Sequence, residues 1–146
     1  MSLAMTRAER EAFLADVHVG VISLAEPGRG PLTVPIWYAY EPGGELRVVT
    51  GRDSRKGRLL AAAPRVAFCV QTEKPPYRYV SVEGPVVHVG PADRERDVRP
   101  IAHRYLGPEL GERYLEATAD AEESILVRVR PERWLSVDYA KQFQVP

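Results

Sequence analysis

Alternation of apolar and polar residues predicts six or seven short strands along this chain. The clearest case is residues 78–89, RYVSVEGPVVHV, in which Val80, Val82 and Val86 share one face and Tyr79 lies on the other. Further apolar or alternating runs predict strands at 17–24, 32–40, 45–50, 65–71, 124–130 and 133–139. The first three runs are separated by glycine- and proline-containing breaks of hairpin length, which favours an antiparallel meander.

Two prolines mark irregular places in these strands. Pro35 lies inside the second run, and a residue without a backbone N–H is expected on an edge strand or at a bulge. Pro85 follows Gly84 inside the long run at 78–89, where the pair predicts the bulge or bend that a barrel needs at a corner.

Local capping signals predict two short helices. Thr6 and Glu9 have the spacing of a capping box, which predicts a helix over 7–16. Ser54 is the expected N-cap of a second helix that runs from residue 55 to about 62, ahead of Pro64.

The hydrophobic period changes from two to that of a helix over residues 92–106. Pro100 is expected to kink or restart this helix, and Gly107-Pro108 to begin another that ends near Thr118. Six or seven strands with helices inserted late indicate an α+β, mainly β fold with a small barrel. The length of 146 residues fits one domain over 1–146.

Composition excludes several classes of function. Twenty basic residues balance twenty acidic ones, so a general nucleic-acid surface is not expected. Cys69 is the single cysteine, which leaves no internal disulfide and no multi-cysteine zinc site. No apolar run approaches the length of a membrane span and the N-terminus lacks a signal-peptide core, so a cytoplasmic protein is the expectation.

Positive charge is concentrated in one stretch of this neutral chain, VVTGRDSRKGRLL at 48–60. Its cations are Arg52, Arg55, Lys56 and Arg58. A strand that ends at Thr50, followed by a helix, would direct free N–H groups and a positive dipole end at the loop between them, which is a ready anion site. Arginine and lysine in a first helical turn oppose that dipole unless a phosphate binds there. A solvated basic helix face is the alternative interpretation.

This stretch resembles a motif of the pyridoxamine 5′-phosphate oxidase family, T-N-x-x-S-R-K-x-x-x-L followed by N-P-x-x-S. RYVSVEGPV at 78–86 is similar to that family's R-Q-V-x-V-x-G-x-V, and the resemblance is good from about residue 20 to 90. It implies a split β-barrel homodimer that binds the flavin nucleotide FMN at the subunit interface. It implies that the phosphate is bound by Arg55 and Lys56.

The resemblance also assigns roles to residues outside the basic turn. Thr50 and Ser54 would lie beside the phosphate as hydrogen-bond donors, and Tyr79 would close the pocket across the dimer. A strand segment would lie along the isoalloxazine ring, and it consists of Val34, Pro35, Ile36 and Trp37.

Departures from the family pattern argue against pyridoxamine phosphate oxidation. The true oxidases carry Arg and Lys on the second strand, where this chain has Thr33, Val34, Ile36 and Trp37, and their C-terminal arginine motifs are missing. PIWYAYEPGGEL and the RYLG helix look instead like the broader flavin/deazaflavin oxidoreductase group. That resemblance implies FMN or the deazaflavin coenzyme F420 as cofactor. Ile36, Trp37 and Tyr79, expected beside the ring, favour a small, apolar or aromatic organic substrate.

Two functions of different class remain open from the sequence. One is an oxidoreductase that transfers a hydride between its cofactor and a small molecule, in which the cofactor carries the chemistry and no catalytic side chain is needed. The other is a non-catalytic protein that binds or carries a flavin, deazaflavin or haem. His18, His88 and His103 fall on different predicted elements without metal-ligand spacing, so no metal site is expected.

Overall fold

A curled sheet is the framework of the fold in the computed structural model, which describes residues 2–143. These residues form seven strands, whose alternating burial follows the sequence pattern: in β5, Val80 and Val82 are buried while Tyr79 and Ser81 are half-buried on the opposite face. The strands are β1 (Gly20–Leu24), β2 (Leu32–Ile36), β3 (Leu46–Gly51), β4 (Arg65–Gln71), β5 (Arg78–Pro91), β6 (Ser124–Val129) and β7 (Arg133–Asp138).

The sheet is antiparallel and folds over at the long strand β5. Its strand order is β2-β1-β4-β5-β6-β3, and β7 pairs with the first half of β5. The second half of β5 pairs with β6, after a register shift between Val86 and His88. Gly84 precedes this shift. A Cβ built on Gly84 would lie 1.7 Å from the carbonyl oxygen of Arg130, so only glycine fits at this position of β5. The predicted mainly β, split-barrel fold is confirmed.

The predicted meander is correct for its first two strands and wrong for the third. β1 and β2 pair as an antiparallel hairpin, and Pro35 lies on β2 at the edge of the sheet, as expected. β3, however, pairs along its whole length with β6, and within residues 2–143 a single β-bridge, between Ala39 and Arg47, connects it to the segment that follows β2. The partner of β3 is therefore about half the chain away, which turn signals alone do not indicate.

Capping explains where the first two helices begin. In α1 (Arg7–Ala15), the Thr6 hydroxyl accepts a hydrogen bond from the Glu9 N–H, and the Glu9 carboxylate accepts one from the Thr6 N–H, which completes the predicted capping box. In α2 (Arg55–Ala62), Ser54 is the N-cap, and the helix ends before Pro64 as predicted.

The third helix is broken as its sequence predicts. A π-helical turn over Arg94–Val98 leads into α3 (Arg99–Ala117), which has Pro100 in its first turn. Gly107 interrupts α3 with φ 79° and ψ 171°, and the helix resumes at Pro108. No helix among residues 2–143 is long and apolar enough to cross a membrane.

The core lies inside the curled sheet and is closed by α1. Its largest fully buried side chains include Tyr38, Leu14 and Ile22. The Tyr38 hydroxyl donates a 2.7 Å hydrogen bond to the Leu14 carbonyl, which satisfies the one polar group of this ring and ties the residues after β2 to α1.

Candidate functional site

The junction between β3 and α2 is held by one serine hydroxyl. Ser54 Oγ donates to the carbonyl of Gly51 at 2.8 Å and accepts from the N–H of Gly57 at 2.9 Å. The backbone therefore uses the predicted phosphate ligand Ser54 as a helix cap. The N–H groups of Arg55 and Lys56, in the first turn, have no acceptor within the helix and are available to an anion.

The cations at this junction differ in their partners. Arg55 forms an ion pair with Glu26, with Nε 3.3 Å from Oε1, and this guanidinium holds the pKa of Glu26 below its usual value. Arg52 pairs with Glu123 at 2.7 Å, and Arg58 donates to the carbonyl of Asp53.

Lys56 is different, because within the described residues its ammonium group has no hydrogen bond and no ion pair. Its side chain is half-buried and lines a cavity of about 280 Å³. This space, named here the Lys56 cavity, lies where β3 ends and β6 begins. Other residues that line it include Trp37, Thr50, Arg94, Tyr114 and Ser124. Among these, Thr50 is buried, with 8% of its surface exposed. The one acid that lines the cavity within residues 2–143 is Glu122, whose carboxylate accepts a hydrogen bond from the Asp53 N–H at 3.2 Å.

An aromatic cluster fixes the position of Trp37 in the cavity wall. The Trp37 ring stacks on Tyr105, with centroids 5.0 Å apart and planes within 6°, and contacts Tyr114 at 5.5 Å. Tyr105 is itself anchored, because its hydroxyl donates to the His18 carbonyl at 2.6 Å and accepts from the Tyr38 N–H. The two tyrosines come from opposite sides of the Gly107 break, so both halves of α3 position the tryptophan.

The structure brings together only some of the residues predicted to bind the cofactor. Trp37, Thr50 and Lys56 line one cavity, whereas Arg55 points to Glu26. The residues of β2 alternate: Ile36 is buried in the core, Val34 packs partly against it and Pro35 is exposed on the outer face.

Tyr79 lies on the outer face of β5, opposite Gln71 of β4 and Val137 of β7, and does not line the Lys56 cavity. The cofactor roles of Val34, Pro35, Ile36 and Tyr79 therefore stay predictions that need more than one chain.

Sequence reasoning missed the wall that the late helices contribute. Arg94 and Tyr114 line the cavity, and Arg94 donates to Thr118 Oγ1 at 3.1 Å and to the Leu115 carbonyl, which fixes its side chain across the end of α3. The sequence offered no local signal for these residues, since an arginine and a tyrosine on an amphipathic helix are ordinary surface residues.

Comparison with known proteins establishes the family. The sequence profile described as Pyridoxamine 5′-phosphate oxidase matches residues 6–138, so the chain belongs to this family. No curated protein sequence matches the chain significantly.

Solved structures of similar proteins share the fold. A protein described as F420 reductase is 28% identical, with 86% of this chain and 94% of that chain covered and a TM-score of 0.72. A conserved hypothetical protein of Mycobacterium tuberculosis, Rv2991, is 24% identical, with 99% and 91% covered and a TM-score of 0.74. The FAD and heme binding protein of Mycobacterium smegmatis is 18% identical, with 91% and 70% covered and a TM-score of 0.64.

Proposed function

We propose that this protein is an oxidoreductase that binds a phosphate-bearing deazaflavin or flavin, coenzyme F420 or FMN, with the phosphate in the Lys56 cavity. The observation that carries the proposal is Lys56, whose side chain is half-buried beside the N-terminus of α2 and has no partner within residues 2–143. The Lys56 ammonium group and the Thr50 hydroxyl in the cavity, together with the free N–H groups at the adjoining start of α2, are donors that match the acceptor oxygens of a phosphate. The family match and the 28% identity to the protein described as F420 reductase support F420 as the first cofactor to test.

The rest of the cavity suits an organic ring system. Trp37 and Tyr114 give one wall an aromatic surface, which favours an apolar or aromatic substrate and helps to exclude water. A bound flavin or deazaflavin would supply the hydride-transfer chemistry, so these residues need only bind and orient. A second phosphate, as in pyridoxamine phosphate, would need its own cations. The residues around Trp37 that stand in place of the family's Arg and Lys are uncharged, and we do not expect that substrate to be oxidised.

The proposed functional unit is a homodimer. The cavity of one chain, about 280 Å³, is at the small end of ligand sites, which measure roughly 300–1,000 Å³, so a tricyclic ring needs further walls. The outer face of the sheet offers a surface for a second copy, because one cross-strand row on it carries no charge. This row consists of Pro35, Val21, Cys69, Ser81 and Leu135.

Leu135 is 60% exposed in the single chain, and Tyr79 lies on the same face. Burial of this row against a second copy would bring Pro35 and Tyr79 to the interface, where the family resemblance places the cofactor. Light scattering of the purified protein should give the mass of a dimer, and a monomer that still binds cofactor would contradict this part of the proposal.

Cofactor titration tests the phosphate site directly. F420 and FMN are titrated by fluorescence into the wild-type protein, Lys56→Gln and the control Lys74→Gln, which removes the same charge from the exposed β4–β5 connection. Loss of one charge-assisted hydrogen-bonding group is expected to weaken binding about tenfold or more in Lys56→Gln, and Lys74→Gln should bind like the wild type. Equal binding by all three proteins would refute the site.

Turnover assays distinguish the proposed oxidoreductase from a non-catalytic carrier protein. Oxidation of reduced F420 or reduced FMN is followed against a panel of quinones and enones, with pyridoxal phosphate formation assayed in parallel. Reduction of at least one panel compound supports the oxidoreductase. Tight binding with no turnover of any compound would favour the carrier protein, and robust pyridoxal phosphate formation would contradict the proposed substrate class.

A further inference from the structure

A second cavity lies at the other end of the β3–β6 pair. The Lys56 cavity is beside Gly51 and Ser124, whereas the second space is beside Glu45, which precedes β3, and Arg130, which follows β6. Six strand residues separate the two, a distance on the order of 20 Å. The second space measures about 270 Å³ and is named here the Arg10 cavity. Its walls come from α1, the segment between β2 and β3, the β6–β7 connection and the start of β7.

Arg10 is the central cation of this cavity. Its guanidinium lies over the Trp134 ring, with Cζ 4.7 Å from the ring centroid, and its Nε is buried without a hydrogen-bond partner in residues 2–143. The same residues provide no ion-pair partner for it either. A guanidinium held over an indole is already positioned, and its N–H groups are free to bind an oxyanion by two parallel hydrogen bonds.

The acidic residues in the walls do not neutralise Arg10, because each has its own cation. Glu11 accepts from Arg7 Nε at 3.2 Å, and Glu45 lies 3.6 Å from Arg128 Nε. Arg130, which also lines the cavity, only approaches Glu132 at 4.0 Å. The Arg10 cavity therefore holds an excess of positive charge.

Tyr40 supplies an independent donor to the same space. It is 4% exposed, its hydroxyl accepts from the Gly43 N–H at 3.3 Å, and the hydroxyl's own proton has no acceptor in the described part of the chain. Burial raises the pKa of Tyr40, so the hydroxyl keeps this proton at neutral pH. Such a buried donor is normally satisfied, and an oxyanion in the cavity would satisfy it.

We infer that the Arg10 cavity is a binding site for a small oxyanion, a phosphate or carboxylate group, separate from the proposed cofactor site. Arg10 and the Tyr40 hydroxyl are its principal donors, and Arg130 adds positive charge at the rim. The Arg10 guanidinium and the Tyr40 hydroxyl proton, which lack acceptors within residues 2–143, are both donors, and this favours an anionic acceptor over a cation or an apolar ligand.

The two tryptophans allow each cavity to be observed separately. Trp134 lines the Arg10 cavity and Trp37 lines the Lys56 cavity, so two indole N–H signals in a ¹⁵N-correlated NMR spectrum, assigned with Trp37→Phe, report on one cavity each. Inorganic phosphate and, separately, acetate are titrated into the full chain at constant ionic strength. A saturable shift of the Trp134 signal with either anion is expected, and the anion that saturates identifies the group bound.

Three variants distinguish a specific anion site from nonspecific electrostatic attraction to a basic surface. Arg10→Gln should weaken the anion at least about tenfold, and Tyr40→Phe, which keeps the ring but removes the donor, by severalfold. Arg113→Gln, on the exposed side of α3, should bind like the wild type. The inference is overturned if neither anion gives a saturable shift at Trp134, or if Tyr40→Phe and a folded Arg10→Gln both bind normally. The Trp37 signal follows the proposed cofactor site independently, so failure of one site does not imply failure of the other.

Discussion

The first turns of α1 and α2 differ in their charged residues, although both helices have a hydroxyl N-cap. Both helices begin with a hydroxyl N-cap, Thr6 in one and Ser54 in the other, that accepts from the N–H three residues on. In α1 that third residue is Glu9, whose carboxylate returns a hydrogen bond and complements the positive end of the helix dipole. In α2 it is Gly57, no acid is present in the first turn, and Arg55 and Lys56 occupy it instead.

The first turn of α2 therefore lacks the acidic side chain that complements the helix dipole in α1. α1 carries its own anion and needs none from solution. α2 places cations at a positive dipole end, an arrangement that a bound phosphate would turn from unfavourable to favourable. The glycine has a steric cause, since a Cβ on Gly57 would lie 2.0 Å from the Gly51 carbonyl oxygen. The tight contact between α2 and β3 thus excludes the acid that α1 has.

The largest expected effect comes from giving α2 an acid. Lys56→Glu should lower the affinity for F420 or FMN by about a hundredfold or more, because an attractive charge at the phosphate becomes a repulsive one. The same change should leave the folded state no less stable, since an acid in the first turn favours the helix by about 0.3–1 kcal/mol. Fluorescence titration and urea denaturation measure the two effects.

Lys74→Glu is the matched control, because it makes the same charge change in an exposed loop. Its cofactor affinity should stay near that of the wild type. A Lys56→Glu protein that binds cofactor normally, or one that loses binding only because it is markedly destabilised, would contradict the comparison between the two helices.

The next effect concerns the glycine that separates the two caps. Gly57→Ala should destabilise the fold by about 1–3 kcal/mol, because the new methyl group meets the backbone of Gly51 and Arg52 rather than a movable side chain. Helix propensity alone predicts the opposite sign, a gain of about 1 kcal/mol for alanine over glycine. Urea denaturation decides the sign.

Gly30→Ala serves as the control in the same experiment, since no atom lies within 4 Å of a Cβ built there. Its unfolding free energy should change by less than about 0.5 kcal/mol. An increase in stability for Gly57→Ala would show that α2 can move away from β3, and that the absence of an acid there has another cause.

Sequence reasoning succeeded where the signal was local. Both caps, the restart around Pro100 and the break at Gly107 depend on a few neighbouring residues, and all are confirmed. It failed for the partner of β3, because pairing with β6 depends on packing across the whole barrel. The same limit applies to the site: the cluster around Lys56 was visible as a motif, but the pairing of Arg55 with Glu26 joins residues far apart in sequence.

The Arg10 cavity shows this limit most clearly. Arg10, Tyr40 and Trp134 come from three segments, and none of them lies in a motif. A lone arginine in an amphipathic helix is normally a solvated residue, and only the fold places it on an indole. Sites assembled in this way become visible only when the segments are placed together in space.

The smallest expected effect tests the acid of α1 itself. Lys141 Nζ donates to Glu9 Oε1 at 2.8 Å, and the Thr6 N–H donates to the same carboxylate. The Lys141 hydrogen bond is the main cause that lowers the pKa of Glu9 from 4.5 to about 2. A carboxyl whose pKa is depressed on folding stabilises the protein above the unfolded pKa. That contribution is lost as the pH falls through the folded pKa.

Glu9→Gln should therefore lower the midpoint of thermal unfolding at pH 6, and the difference from the wild type should shrink as the pH falls from about 4.5 towards 2. Thermal melts followed by circular dichroism across this pH range measure the difference in unfolding midpoint. Because the wild type and the variant share all other carboxylates, their contributions cancel in this difference. Glu116→Gln, on an exposed part of α3, should show no such narrowing. A Glu9→Gln difference that stays constant down to pH 2 would mean that the carboxylate charge does not complement the start of α1. The electrostatic difference between the first turns of α1 and α2 would then be due to Arg55 and Lys56 alone.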